Sequence, residues 1–531
     1  MAAAAPIGSL LGPNIDWCEN RTGDSQGIRQ IRHEPGRGMI LECRLSAEDA
    51  TSKHGECFVD LKYVPSLEGL VPLDLTGHTI TVEVEIGGGL DAPKDSPNGV
   101  QVFVRDKGFR AQYGVWRNWT EAGTVTASLK PSRDGATAGH TDKQFNPAAC
   151  RVIGVKIGTG AKFEGQQEAP LVVTRLDVDP PLPSSPPPPL PADYPLPHLT
   201  AESRVVPKPD GFYVDGRKTY LVGGNWRVIE YGQNFGATAW FPEGDGVSKH
   251  PGYVAARLDC FRRAGILLVR VGLLDDGRAV LDRKGAVTGF SQTFHDDVAM
   301  FLDLAAQHNV KVEFVLIDFH AAGRGEEVGG VWLRGRGMVL EDPQIRARFI
   351  DEFVEPFLET FGRHRALFGI DVINEPEWIV SEAHGGAWEA VEDAVKAGKP
   401  ISGDQLREFI NQCADCVHRL APDKLVTVGV SCVHLGLVSD LDALDYLAPH
   451  YYPWMNSLDR NLAAIPKGKP YLLEEYPGKG DVWEYLAKVQ AAGGAGSLLW
   501  NLSPEIDDQS PSFAAWGEML LATRKYVDEL E

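Results

Sequence analysis

Apolar positions along the chain change their rhythm once, at a stretch dense in proline. Before it, residues 79–86, 100–104, 152–157 and 172–178 alternate apolar and polar side chains in short runs punctuated by Gly, Asp and Asn. A period of two marks strands buried on one face, so residues 1–179 are predicted to form an antiparallel β-sandwich. After residue 199 the runs become continuously apolar, at 220–225, 266–270, 310–320, 367–375, 425–430, 446–452, 471–475 and 496–500. Amphipathic stretches lie among them at 254–264, 296–308, 345–361, 403–420 and 481–492. Strands buried on both faces and alternating with helices over roughly 330 residues predict a (β/α)8 TIM barrel for 199–531. The polar residue closing each run then faces the C-terminal mouth, where such barrels carry their chemistry.

The stretch between the two regimes, 180–198, holds ten prolines from Pro180 to Pro197, four of them consecutive at 186–189. That composition favours extended polyproline II and predicts a semi-rigid spacer between a multidomain pair.

Composition narrows the partners. Against 52 basic side chains stand 73 acidic ones, a net charge of −21. A surface so acidic repels phosphate backbones and anionic membranes, so neither nucleic acid nor membrane is expected as a partner, and a neutral or cationic substrate is. No stretch approaches the roughly 18 apolar residues of a bilayer span. The first residues carry neither a basic segment nor a long apolar run and do not read as a secretory signal.

Eight cysteines in 531 residues are too sparse for a disulfide scaffold. Cys18, Cys43, Cys57 and Cys150 could form one or two bonds within the front domain. Cys413 and Cys416 have redox or metal spacing but lie within the helical pattern of 403–420, without a second pair, and are assigned to packing. No His-Glu-x-x-His, Gly-x-Ser-x-Gly or phosphate-loop motif is present, and the glycine-rich 323–338 is expected to wall a cleft. No metal and no cofactor is expected.

Two strand ends carry carboxylates in company: Asp371-Val372-Ile373-Asn374-Glu375-Pro376 at strand four, and Leu472-Leu473-Glu474-Glu475-Tyr476 at strand seven. With Arg270 ending strand two, His320 ending strand three, His450-Tyr451-Tyr452 ending strand six and Trp500 ending strand eight, the barrel resembles glycoside hydrolase family 5, the mannanase- and cellulase-type retaining β-glycanases. The resemblance implies Glu375 as acid/base, Glu475 as nucleophile, and Arg270, His320, Asn374, His450, Tyr452 and Trp500 around the sugar, with no cofactor. Glu474 and Glu475 are neighbours, and an ideal strand points only one of them into the mouth. The family's Lys-Pro-x-x-x-x-Glu-aromatic pattern, which Lys469-Pro470 and Glu475-Tyr476 resemble, implies Glu475. Arg270 is expected to keep that carboxylate charged.

The Phe145-Asn-Pro…Val152-Ile-Gly-Val-Lys-Ile pattern resembles galactose-binding-like jelly rolls, which implies a carbohydrate-binding module whose Trp17, Trp116, Trp119 and Tyr113 either stack on sugars or pack the core. In the barrel, Trp226, Trp240, Trp332, Trp378 and Trp454 are candidate stacking platforms, Trp226 and Trp378 foremost. The expected activity is endo-hydrolysis of a β-1,4-linked polysaccharide or oligosaccharide, β-mannan before β-glucan, by a monomer placed outside the cell. An exo-acting enzyme, a transglycosylase and a non-catalytic glycan-binding protein remain alternatives.

Overall fold

The computed structural model describes residues 7–12, 15–20, 24–160, 165–185, 188, 190, 199–227, 234–236, 246–328, 331–384, 400–503 and 511–530. The chain divides into two compact units, 1–187 and 188–531.

The front unit is two antiparallel sheets around one hydrophobic core. One runs Gly123–Leu129, Thr79–Ile86, Gln166–Leu182, Gly38–Ser46, Ile28–Glu34, with Ile7–Ser9 added to the long strand. The other runs Ala138–Thr141, Ala111–Gly114, Asn98–Asp106, Cys150–Gly158, His54–Asp60, Cys18–Glu19, with Arg117–Trp119 on Asn98–Asp106. The alternation seen in the sequence is the reason: Val82, Val84, Val102, Val104, Val155 and Ile157 point inward together. Trp17 and Trp119 also belong to this core, each giving its indole N–H to a backbone carbonyl (Leu10 and Leu90). Trp116 is exposed and stacks beside His54.

The spacer expected at 180–198 starts later than the proline count suggests. Residues 180–182 prolong the strand Gln166–Leu182, where Leu182 is buried and pairs with Ile7. Proline is tolerated there because only the short Ile7–Ser9 strand is beside it. Most of the remaining spacer, 186–187, 189 and 191–198, lies outside the described residues.

The second unit is a TIM barrel. Its parallel strands are one, Leu221–Asn225; two, Leu268–Gly272; three, Lys311–Asp318; four, Leu367–Asn374; five, split at Val428 into Leu425–Thr427 and Gly429–Ser431; six, Ala448–His450; seven, Leu472–Pro477; and eight, Gly496–Trp500. Pairing runs from the first half of strand five through four, three, two, one, eight, seven and six to its second half, so the circle closes through that strand. All five helices read from the sequence are present. The one expected at 345–361 spans Pro343–Phe361 and widens into a π turn at Ile350–Val354, just before Pro356, whose missing N–H removes a helical hydrogen bond.

A feature absent from the sequence reading closes the barrel's N-terminal end. Strands Val205–Lys208, Gly211–Val214 and Arg217–Thr219 form a small antiparallel sheet. Its Phe212 plugs the barrel floor edge-on against Phe368 (6.0 Å) and Tyr446 (5.3 Å). Burial of those rings is worth roughly 1.5–3 kcal/mol each and leaves the opposite mouth as the open end.

Among the described residues no helix is long and apolar enough to cross a membrane. All eight cysteines are free thiols, so the disulfides considered for the front domain are not formed. Cys43 and Cys57 instead fill its core, and burial pushes the Cys43 thiol up. Cys413 and Cys416 are buried on the helix Gly403–Leu420 as packing residues. We expect all eight thiols to react with Ellman's reagent in denaturant without prior reduction, and added reductant to leave the Tm unchanged; a smaller thiol count would reveal a bond.

Candidate active site

Strand four ends by leaving extended geometry abruptly. Glu375 has φ 46° and ψ 51°, a left-handed conformation that side chains other than Gly, Asn and Asp seldom adopt. Its N–H is fixed to the Gly429 carbonyl of strand five at 2.8 Å. The turn lifts its carboxyl over the barrel mouth, where Oε2 accepts the Trp378 indole N–H at 2.9 Å and Oε1 lies 3.0 Å from His450 Nδ1.

Strand seven departs from ideal geometry as well. Leu473 pairs with Ser497 of strand eight, but Tyr476 pairs with Leu499, so three steps on strand seven match two on strand eight. This β-bulge falls on Glu474 and Glu475 and defeats the alternation that would have put one of them outside. Both enter the barrel: Glu475 Oε1 takes a hydrogen bond from Arg270 NH1 at 2.8 Å, and Glu474 Oε2 lies 3.1 Å from Arg270 Nε. Glu475 reaches the mouth, where its other oxygen accepts the Tyr452 hydroxyl. Glu474 lies beneath it, against His450 Nε2 at 3.3 Å. The consequence is close approach: donor atoms of Glu375, His450 and Glu475 all lie within 4.8 Å of one another. Arg270 brings positive charge into hydrogen-bonding contact with this cluster, and Arg227 faces the same two glutamates.

Arg270 is 3% exposed and organises the interior. Besides the two glutamates it binds Asp371 of strand four, Asn374 Oδ1 at 2.7 Å and Asn225 Oδ1 at 2.9 Å. Asn374 in turn donates to Asp318 Oδ2 at 2.8 Å, and Asp371 accepts the Gly429 N–H at 3.0 Å. Strand five can come this near only as glycine. A Cβ at Gly429 would fall 2.6 Å from His450 Nε2 and 2.7 Å from both Arg270 NH2 and Glu474 Oε2.

Burial raises the Glu375 and Glu475 carboxyls alike, and the counterweights differ. Glu475 has a guanidinium at 2.8 Å and a hydroxyl donor. Among the described residues, Glu375 has the Trp378 N–H and the His450 ring in direct contact. The charged form is therefore better held on Glu475 and the proton on Glu375. Burial also pushes His450 down to about 4, leaving its ring neutral near pH 7.

Of the residues singled out in the sequence, Glu375, Glu475, Arg270, Asn374, His450 and Tyr452 form one hydrogen-bonded group. Trp500 lies beside it: it shares a cavity with Arg270, Asp318 and Asn374, and the Arg227 guanidinium lies 5.8 Å from its ring. His320 is on the turn Phe319–Ala322 after strand three and contacts Asp318 and Phe319, not the two glutamates. Trp378 is a hydrogen-bond donor to Glu375 rather than a free platform. Trp226 is a correction. Asn225 before it points into the barrel, so Trp226 points out, 1% exposed, packed on Phe261 (5.1 Å) and Phe301 (5.9 Å). Trp454 is exposed on the loop after strand six, Trp332 sits on the hairpin of the 323–338 loop, and Trp240 lies outside the described residues.

Sequence reasoning missed Arg227, Asn225, Asp318, Asp371, Glu313 and the inward turn of Glu474. Asn225, Asp318 and Asp371 carried a visible signal as polar residues inside apolar strand runs. Nothing marked Arg227, which faces Asp318, Asp275, Glu475 and Glu375 from just beyond strand one.

An eight-stranded barrel in which a half-buried and a buried glutamate meet near an arginine, at the C-terminal ends of strands four and seven, agrees with the resemblance of this chain to family 5-like glycoside hydrolase barrels. Its curated relatives include the mannan endo-1,4-beta-mannosidases of Mytilus edulis, 24% identical over 241 residues (44% of this chain, 61% of the relative), and of Cryptopygus antarcticus, 24% identical over 228 residues (41% and 56%). The alignments thus span about three fifths of these relatives' length. The crystal structure of the β-mannanase from blue mussel Mytilus edulis superposes with a TM-score of 0.50 at 20% identity, over 61% of this chain and 96% of that one, and has the same fold. No family model matches the chain.

Replacing Gly429 by Ala is expected to destabilise the protein by about 1–3 kcal/mol through overpacking against groups that cannot move apart, read as a lowered Tm. An unchanged Tm would mean that the strand has room to shift.

Proposed function

We propose that the chain is a retaining endo-β-1,4-glycanase acting on mannan, with Glu375 as acid/base and Glu475 as nucleophile. The observation that carries the reading is the approach of the two carboxyls, one oxygen of each lying within 4.8 Å of the other. Retaining enzymes hold the pair roughly 5–5.5 Å apart, inverting ones roughly 6.5–9.5 Å to admit a water between them. The choice of mannan over glucan rests on the activity of the named relatives.

In the first step a Glu475 oxygen attacks the anomeric carbon while Glu375 gives its proton to the glycosidic oxygen. The C–O bond breaks, the shortened chain leaves as an alcohol, and a glycosyl ester remains on Glu475. In the second step the Glu375 carboxylate takes a proton from water. That water attacks the anomeric carbon, frees Glu475 and restores the acid. Arg270 and Tyr452 hold Glu475 in its attacking orientation and stabilise its charge, and Trp378 fixes the Glu375 carboxyl. Asn374, between Arg270 and Asp318, presents its amide to the sugar's 2-hydroxyl, and the Trp500 face meets the sugar ring. His320, at the rim, contacts sugar rather than the glutamates.

The front unit is proposed to bind glycan as a separate module, with exposed Trp116 stacked beside His54 as its sugar platform. Release of the protein from the cell completes the reading, since its substrate is a polymer.

Reducing-sugar release should be highest on soluble galactomannan and glucomannan, and low on carboxymethylcellulose, mixed-linkage β-glucan and xylan. Glu375→Ala should lose about 100–10,000-fold on mannan yet recover on an activated aryl mannoside when azide is added, giving a retained product. Glu475→Ala should be at least as impaired, and azide should rescue it with the inverted product. Retention of activity by either variant, or the opposite stereochemistry, overturns the assignment. Release from glucan alone would move the substrate and leave the two roles in place.

A further inference from the structure

Beneath the two glutamates lies a second acidic pair that the proposed mechanism does not use. Glu313 of strand three and Glu474 of strand seven are both fully buried. Glu313 Oε2 accepts the Tyr446 hydroxyl. Glu474 Oε2 faces Arg270 Nε at 3.1 Å and His450 Nε2 at 3.3 Å. The remaining oxygen of each, Oε1, has no hydrogen-bond donor among the described residues. The two carboxyls are within hydrogen-bonding reach of one another. Two charged carboxylates so close in a dry interior repel strongly, and the one cation facing them among the described residues, Arg270 at 3.1 Å from Glu474 and 3.9 Å from Glu313, is shared with Glu475 and Asp371. A proton between the orphaned oxygens removes the repulsion and satisfies both atoms at once.

We propose that Glu313 and Glu474 share one proton through their Oε1 atoms, and that the Glu474 Oε2 left facing His450 is a positioning group: it binds the ring as the Nε2–H tautomer, so that the Nδ1 lone pair faces Glu375 and keeps the acid proton there. The inference rests on the acid/base reading of Glu375.

The geometry makes the coupling specific. A neutral imidazole carries one N–H, so whichever nitrogen donates, the other must accept. Nδ1 lies 3.0 Å from Glu375 Oε1 and 3.5 Å from Glu475 Oε2. An Nε2–H directed at Glu474 leaves Nδ1 as an acceptor, which stabilises the protonated form of Glu375. The opposite tautomer would donate to Glu375 and favour its charged form. Burial drives both members of the lower pair toward protonation, in keeping with a proton between them. The other charged groups facing Glu375 are Asp318 of strand three, Arg270 of strand two, Arg227 beyond strand one, Glu377 two residues on and Glu475 of strand seven. None of these sets the His450 tautomer through Nε2, which contacts Glu474.

The test replaces Glu474 by Met, which keeps the volume and removes the acceptor, and by Gln, which keeps an acceptor toward His450 and a donor toward Glu313. The alkaline limb of kcat/KM on mannan reports loss of the acid proton. Losing an acceptor that favours the protonated form lowers the pKa of Glu375, so in Glu474→Met the limb should move to lower pH by about one unit. Its kcat on mannan should fall at least about 10-fold, with a much smaller loss on a dinitrophenyl mannoside, whose leaving group needs no proton. Glu474→Gln should keep the limb in place. A folded Glu474→Met with the wild-type limb, or with equal losses on both substrates, overturns the inference. Should that variant not fold, long-range 1H–15N spectra of the histidine-labelled wild type decide, with His450 assigned by difference from His450→Gln: Nε2–H supports the proposal and Nδ1–H refutes it. Glu375→Ala and Glu475→Ala serve as controls. If they stay active, the mechanism has failed; if they are inactive while Glu474→Met keeps its profile, only this inference has.

Discussion

The interior of the barrel depends on one guanidinium. Arg270 lies among Glu474, Glu475 and Asp371, with Glu313 at 3.9 Å, all nearly sealed from solvent. Burying a charge costs several kcal/mol after relaxation, and attraction compensates only where the geometry is good and the leftover donors and acceptors are filled. Here the planar fork meets that condition. Its nitrogens take carboxylates on two sides and the amide oxygens of Asn225 and Asn374 on the others. Lysine, a single point charge, could not bridge strands one, four and seven at once. The same contacts that reconcile the acidic interior with folding also fix the two upper glutamates at reacting distance, so stability and the proposed chemistry share one set of hydrogen bonds.

How much of this was legible varied with how local the cause was. Eight apolar runs and the helices among them located every barrel strand, because burial on both faces imprints itself directly on composition. Glu375 and Glu475 stood out through their neighbours at the strand ends. Trp226 misled: an aromatic next to a polar strand end reads as a platform, yet the alternation that sends Asn225 inward sends Trp226 to the helices. Glu474 misled for the opposite reason. Alternation assigned it to the outside, and a bulge, which depends on how two strands pair rather than on either sequence, brought it in. The plug built around Phe212 left no periodic signal because its strands are three or four residues long. Pro180 and Pro181 read as spacer because proline content says nothing about whether a neighbouring strand needs their missing N–H.

The left-handed turn at Glu375 and the bulge at Glu474 and Glu475 are departures from regular strand geometry that place the proposed catalytic pair. Each replaces repetition by a single special placement, and each is held by strand five or strand eight rather than by itself. Residues in uncommon backbone regions persist where the surroundings over-determine them, and Gly429 does so here with its carbonyl on Glu375 and its N–H on Asp371.

The bulge has a consequence for how this segment tolerates change. Strand seven must supply a count of residues as well as their kinds. Deleting one residue between Leu473 and Tyr476 would remove Glu474 or Glu475 itself, let the two strands pair in step and close the surplus loop of backbone. Such a molecule would retain a glutamate, an intact ladder and an ordinary hydrophobic core, and yet lose either the acid beneath His450 or the one above it. Length variation here is therefore harsher than substitution, and insertions or deletions that the loops of the same barrel absorb freely are closed to these four positions.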